Sequence, residues 1–437
     1  MNQRCKYTDY FLVVFFTLCL GFTACSSSDD VPELTVSNTG PYLLNVNHLE
    51  LIRDTLEYHP VLQKSYDELI HGADSLLNVK FEFVTDKSEV PPGGTKNDYM
   101  SIHRYTHLDS DGNPYQDESF SNPLVDEFDR IRLARFSSAV YTLSLAYFFS
   151  ENEIYAEKAA DLLKAWFFDP ETKMNPNMNF SQVRLGIPGT GGGGTQGIID
   201  ANDFINVIEA VSLIYDSQYW NPNHHIKLKE WFYHFSNWIV QNYNPDAYCS
   251  DYSCSNISTW KDAQKASFFL FSNQEHLLNS ERHIMPVEDK IEKQFGVDGV
   301  QTHERNRARS QHYVYFNLRA YMNVATIRKN RTGYDRDWPV FESPNYGGLK
   351  PALDNLVDYI HGHTSTTHFN PNPEFDECRY LALFRPAAIA FHSLEYDDAA
   401  DKLLSKECFN SNISLTYPSL KLLDSMPQDE FSLQKGD

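Results

Sequence analysis

Apolar residues return at three- and four-residue steps along nearly the whole chain from residue 46 onward, and this periodicity limits the fold more than any other feature. The spacing predicts helices over about 46–58, 60–78, 127–149, 152–167, 201–216, 223–242, 259–272, 276–294, 309–327, 349–361, 377–393 and 396–405. Two-residue alternation is scarce, and Phe81 to Val84 is the best short candidate for a strand. A dozen or so helices joined by alternating short and long loops predict stacked helical hairpins. No fixed-period repeat is visible, which argues against tetratricopeptide and ankyrin arrays. The expected class is all-α: an (α/α) toroid, or incomplete barrel, of about six to seven hairpins, carrying its site on the long loops at one end.

The first forty residues speak to location. Arg4 and Lys6 precede an apolar run from Tyr10 to Phe22 that ends at Thr23-Ala24-Cys25. Charged, apolar and small residues in that order form a bacterial export signal, too short and wrongly flanked for a structural membrane span. Cys25 followed by Ser26-Ser27-Ser28-Asp29-Asp30 reads as a lipobox and tether. The expected organisation is a lipoprotein signal peptide over 1–24, a tether over 25–38 and one domain over 39–437. Cys25 would hold that domain by a lipid in the periplasm or on the outer-membrane surface, as a monomer.

Charge excludes one class of partner. With 37 basic and 59 acidic residues the net charge is −22, and phosphate backbones need a basic face. Four cysteines besides Cys25 lie beyond the signal: Cys249, Cys254, Cys378 and Cys408. In an oxidising compartment Cys249 and Cys254 can pair and pin the loop they share. No CxxC…CxxC pattern supports zinc, and His361, His363 and His368 sit in a polar loop without an acidic signature, so no metal or cofactor is expected. The glycine run Gly191 to Gly194 lacks the Lys-Ser or Lys-Thr of a phosphate loop; it suits a backbone passing close to a ligand or another loop.

Two stretches concentrate chemistry. Cys249 to Ser258 crowds Cys, Ser, Asn and Tyr onto the start of a buried helix, where Thr259 or Ser258 can cap the first turn. Residues 300–322 gather His303, Arg305, Arg307 and Arg309 just before a helix that carries Tyr313. Cations at a helix N-terminus oppose the macrodipole, which points to an anionic ligand. Tyr313 follows Arg307 by six residues, under two turns on and near the same face.

Several ordered segments resemble the alginate lyase superfamily of polysaccharide lyases, family 38 in particular. They are "DYMSIHRYTH", "YAEKAADLLKAWFFDPETKMNPNMNFSQ", "GTQGIIDANDF", "SNISTWKDAQ" and "DGVQTHERNRARSQHY", spread over most of the chain. The resemblance implies β-elimination on an anionic uronate polymer. In that chemistry the carboxylate beside C5 is neutralised, and a base and an acid act at C5 and at the C4 oxygen. Carried over by position, Asn256 hydrogen-bonds the carboxylate, Arg307 supplies charge and depresses the Tyr313 pKa, and Tyr313 is the acid and also the base. Asn177, Asn179 and Gln182 line the cleft, with Tyr105 and Trp260 as sugar-contacting or wall residues.

This chain departs from the family at two places. Ile257 stands where the family has the histidine that serves as base or neutraliser, and Arg104-Tyr105-Thr106-His107 replaces Pro-Tyr-Trp-Trp. His107 or His103 is the candidate to reach in from that loop. Without the histidine, one tyrosine must take and return the proton on one face of the sugar. The expectation is syn elimination of mannuronate or glucuronate linkages, with guluronate largely spared. Two rivals stand beside it: a non-catalytic glycan-binding lipoprotein, and a toroid glycoside hydrolase using two of Asp200, Asp203, Asp262 and Glu304.

Overall fold

Fourteen α-helices follow one another among the described residues of the computed structural model. They are α1 Val46–Thr55, α2 Pro60–Leu77, α3 Asp129–Ser150, α4 Glu153–Phe167, α5 Phe204–Leu213, α6 Pro222–Asn242 and α7 Asn256–Phe271, then α8 Val287–Gln294, α9 Ser310–Thr332, α10 Leu349–His361, α11 Leu381–Phe391, α12 Leu394–Leu404, α13 Ser411–Thr416 and α14 Leu420–Ser425. The structure describes residues 34, 39–187, 195–242, 249–250, 253–279, 287–332, 342–343, 347–363, 368–406, 408 and 411–425. The expected signal, Cys25, most of the expected tether and the run Gly191 to Gly194 lie outside them.

The chain is an all-α toroid of paired helices. α3 packs on α4 and α5, α7 on α6 and α9, and α11 on α12, while α2 bridges α3 and α13. A continuous apolar core joins them, with Trp166 fully buried and stacked on Phe136 at 4.4 Å. Such aromatic packing combines a large buried area with a preferred ring geometry. α7 is buried on every side except at Ile257, so it runs through the interior instead of burying a single stripe.

Where the structure departs from the periodicity, side-chain hydrogen bonds are the reason. Phe81 to Val84 is not a strand: the Asp86 carboxylate accepts the Phe83 N–H at 2.8 Å and closes a 3₁₀ turn over Val84–Asp86. α7 begins three residues before the predicted start, and neither Thr259 nor Ser258 caps it. Glu304 accepts the backbone N–H of Asn256 at 2.7 Å, supplying an acceptor and a negative charge to the first turn from 48 residues away.

The few strands serve the loops. β1 (Met100–Ile102) pairs in parallel with a later strand, Phe180–Val183, in the register Met100↔Phe180 and Ile102↔Val183. β2 (Thr106–Leu108) and β3 (Pro114–Gln116) form an antiparallel hairpin with His107 opposite Tyr115. Disulfides join Cys249 to Cys254 and Cys378 to Cys408, the second pair not anticipated.

The heads of the inner helices are tied together at one end. Arg130 of α3 donates to Asp203 before α5 at 2.7 Å, Asn256 of α7 to Glu304 before α9, and Gln311 of α9 to the Tyr380 hydroxyl before α11 at 3.2 Å. Away from these heads, backbone N–H groups of Tyr42, Leu43 and Leu44 donate to the buried Glu209 of α5 at 2.9–3.0 Å, which fastens the start of the fold to its interior.

Candidate active site

Tyr313 lies in the first turn of α9, and the short segment before the helix brings Arg307 back over it. The Arg307 guanidinium carbon sits 3.8 Å from the centre of the Tyr313 ring, the contact that the six-residue spacing anticipates. Arg307 also donates through Nε and Nη2 to the two carboxylate oxygens of Glu118, at 3.0 and 2.9 Å. Arg309 reaches Glu374 at 3.3 Å. These arginines are therefore matched by acids from distant loops, which corrects the inference that only a ligand offsets them at the helix start.

Next to this pair, Asn256 is 1% exposed and Glu304 2% exposed. Asn256 donates both its backbone N–H and Nδ2 to Glu304 Oε1, the latter at 3.0 Å, so its amide is spent on Glu304 and not simply presented to a ligand. Glu304 Oε2 is buried with no hydrogen-bond partner among the described residues. Burial raises the Glu304 pKa, opposed by the Asn256 hydrogen bonds and by Arg307.

The hairpin side closes over the tyrosine. Tyr313 donates its phenol proton to the Tyr105 oxygen at 3.0 Å. Burial pushes the Tyr313 phenol well above its ordinary pKa, Tyr105 adds to this, and Arg307 works the other way. The expected net depression is thus overturned: Arg307 has the expected sign, and desolvation outweighs it.

Of the two loop histidines, His103 is the one in the field of this cluster. Its Nδ1 lies 3.0 Å from Thr106 Oγ1 and its ring meets Tyr105 edge-on. Burial, then Arg184, lowers its pKa to about 4, against a raising influence from Glu118. His107 packs instead against Tyr115 and Phe120, with centroid distances of 5.3 and 4.3 Å, and touches none of Asn256, Arg307 and Tyr313.

The remaining expected residues divide. Gln182, held at φ +51°, donates through Nε2 to Asp200 at 2.9 Å and through its backbone N–H to Ser101, so it shares the floor beneath β1. Asn177 donates to Asp98 at 3.2 Å, and Asn179 accepts from Trp238 at 2.9 Å, which makes both part of the loop's own scaffold. Trp260 is 3% exposed and packs on Phe316 at 4.8 Å, so it is core behind the site and not a sugar-contacting face. Ile257 is the half-buried residue beside Asn256 and brings no polar group.

The four carboxylates that a hydrolase could use each bond to a neighbour, Glu304 through Oε1 alone. Asp200 accepts from Tyr99, Ser101 and Gln182, Asp203 holds Arg130, Asp262 pairs with Lys290, and Glu304 holds Asn256. A separate cavity of about 470 Å³ opens among α3, α5, α9 and α11, lined by Arg130, Asp203, Glu209 and Arg319 but not by Tyr313 or Arg307.

Glu118 and the Glu304–Asn256 bond were not foreseen in these roles. Glu118 carries no local signal, and the only available clue was that a run of arginines in an acidic protein needs acidic partners. Glu304 falls inside the quoted motif, three residues before Arg307.

The chain is thus a helical toroid that sets a tyrosine beneath an arginine at the head of α9. The family profile described as alginate lyase matches residues 83–366, and the chain belongs to that family. A crystal structure of an alginate lyase from Bacteroides ovatus is similar, with a TM-score of 0.75 and 26% identity over 86% of this chain and 99% of that one. Alginate lyase A1-III from Sphingomonas species A1 is a more distant likeness, with a TM-score of 0.48 and 14% identity over 90% of this chain and 98% of that one. No match was found among curated proteins.

Proposed function

We propose that this polysaccharide lyase cleaves 1,4-linked uronate polymers, polymannuronate or glucuronan, by syn β-elimination with Tyr313 as the proton-transfer group. One observation carries this: the Tyr313 phenol, bonded to Tyr105 at 3.0 Å, lies under the Arg307 guanidinium at 3.8 Å. The solved relative from Bacteroides ovatus, an alginate lyase at 26% identity, supports the substrate class.

In the reaction Tyr313 works from its ionised form, which Arg307 favours against the burial that raises its pKa, and the phenolate takes the proton from C5. The electron pair of the C5–H bond becomes the C4=C5 double bond, and the C4–O bond breaks with its pair on the leaving oxygen. Tyr313 returns the proton to that oxygen, so one product ends in a 4,5-unsaturated uronate and the other in a hydroxyl. The positive charge of Arg307 favours both the phenolate and the negative charge that develops at the sugar carboxylate. Mannuronate and glucuronate present the proton and the leaving oxygen on one face, where a single tyrosine serves both.

The test is incubation with polymannuronate and glucuronan while following the absorbance of the conjugated product. Growth of that band supports elimination. New reducing ends without it indicate a hydrolase, and binding with neither indicates a glycan-binding protein.

A further inference from the structure

The cavity of about 470 Å³ among α3, α5, α9 and α11 has no part in the elimination at Tyr313. Two of its lining residues, Arg319 and Asn323, share α9 with Tyr313 but follow it by six and ten residues. At the helical rise they lie about 9 and 15 Å further along the axis. The cavity is therefore deeper in the toroid than the tyrosine.

Its wall carries polar groups that the fold does not use. Arg319 is half-buried and donates only to the Tyr315 hydroxyl, at 3.3 Å. It forms an ion pair with no described carboxylate, and Asp203 acts on it only from a distance. Asn323 stands one turn on, on the same face of α9. Neither it nor Asn206 of α5 makes a side-chain hydrogen bond with a described residue. The Ser137 hydroxyl of α3, in a residue 1% exposed, is buried with no partner among the described residues. The acids of the cavity are engaged elsewhere: Asp203 holds Arg130 at 2.7 Å, and Glu209 accepts three backbone N–H groups from Tyr42, Leu43 and Leu44. Buried polar groups are normally paired, so a guanidinium, two carboxamides and a hydroxyl left over on three helices around one space mark a ligand site.

We propose that this cavity binds a small sugar acid, with Arg319 taking the carboxylate and Asn323, Asn206 and Ser137 taking the hydroxyls. The planar guanidinium matches a carboxylate in bidentate fashion. Carboxamides and a serine hydroxyl both donate and accept, as sugar hydroxyls do, whereas a bare anion would engage Arg319 alone. The volume is in the range of small-molecule sites. The carboxylate is inferred from Arg319; that the sugar acid is a uronate rests on the polyuronate substrate proposed above.

The experiment titrates glucuronate calorimetrically into the parent protein, into Arg307→Ala, which alters the cleft, and into Asn323→Leu and Arg319→Gln, which alter the cavity. Glucose and acetate are titrated as controls. The expected result is binding to the parent and to Arg307→Ala with affinities within about twofold, and at least about tenfold weaker binding to both cavity variants, the loss of a hydrogen bond to a charged group. Arg319→Lys should recover part of that loss, which a collapsed cavity would not. Glucose should bind at least about tenfold more weakly, since it lacks the charge. Absence of binding to the parent overturns the site, as does binding lost in Arg307→Ala but kept in Asn323→Leu. Acetate as tight as glucuronate overturns the sugar assignment. Heat of binding is read and not turnover, so a protein that binds glucuronate here yet forms no unsaturated product from any polymer would contradict the proposed lyase substrate alone.

Discussion

The site has two walls, and they are built on different principles. One is the helix wall, where Asn256 and Glu304 are almost wholly buried and bonded to each other, and Arg307 and Tyr313 follow within ten residues. The other is the hairpin wall, where Tyr105 and Glu118 reach across from a loop whose Leu108, Tyr115 and Phe120 stay exposed. Burial fixes the first wall, and a few polar contacts fasten the second to it. The proposed proton-transfer group, Tyr313, therefore sits on the rigid side, and the hairpin side sets its surroundings.

The largest expected effect breaks the helix wall at its reacting atom. Tyr313→Phe keeps the ring under Arg307 and removes only the hydroxyl. Turnover should fall by about 10²–10⁴-fold with the helical circular dichroism unchanged. A variant retaining a tenth of the parental rate would remove Tyr313 from the chemistry.

Glu304→Ala tests whether the rigid wall depends on its buried carboxylate. It leaves two buried donors of Asn256 without their acceptor, at about 1–3 kcal/mol for each unsatisfied group. The melting temperature should drop, and the rate should drop with it in protein that is still folded. An unchanged melting curve would show that α7 does not need this cap.

The hairpin wall should respond in the opposite proportion. Glu118→Gln weakens the grip on Arg307, yet the pair is partly exposed, so stability should change by no more than about 1 kcal/mol. The rate should change more than the stability does, because Arg307 loses its fixed position over Tyr313. Equal kinetics in both proteins would assign Glu118 to surface charge alone.

The smallest effect is on pH. His103 has its pKa lowered from 6.5 to about 4, with burial the first cause. Between those values the unfolded chain binds the proton that the folded protein resists, so this contribution is present above pH 6.5 and is lost as pH falls towards 4. His103→Asn should flatten the fall in melting temperature over that interval, and an unaltered slope would place the acid sensitivity elsewhere.

The same division explains what could be read from the sequence. Only the local half of the helix wall was legible: the periodicity marks α7 and α9, and Arg307 precedes Tyr313 by six residues, whereas the Asn256–Glu304 bond spans 48 residues and left no local pattern. The hairpin wall was not, because Arg307 meets Glu118 across 189 residues and no pattern in a loop rich in Asp, Ser and Pro singles out that carboxylate. Trp260 shows the converse error. Its place in a shared motif suggested a sugar-contacting or wall residue, and packing against Phe316 sets it in the core behind the site. His103 and His107 were equivalent in sequence, and the hairpin register separates them by turning His107 towards Tyr115.

The central claim is that one tyrosine moves the proton on one face of the sugar, with Ile257 leaving no base across the ring. Initial rates of unsaturated-product formation on polymannuronate, glucuronan and polyguluronate test it most directly. Rapid cleavage of one or both of the first two, with polyguluronate largely spared, is the predicted result. Equal or faster cleavage of polyguluronate would contradict it and require a second base, with His103 beside Tyr105 the first residue to examine.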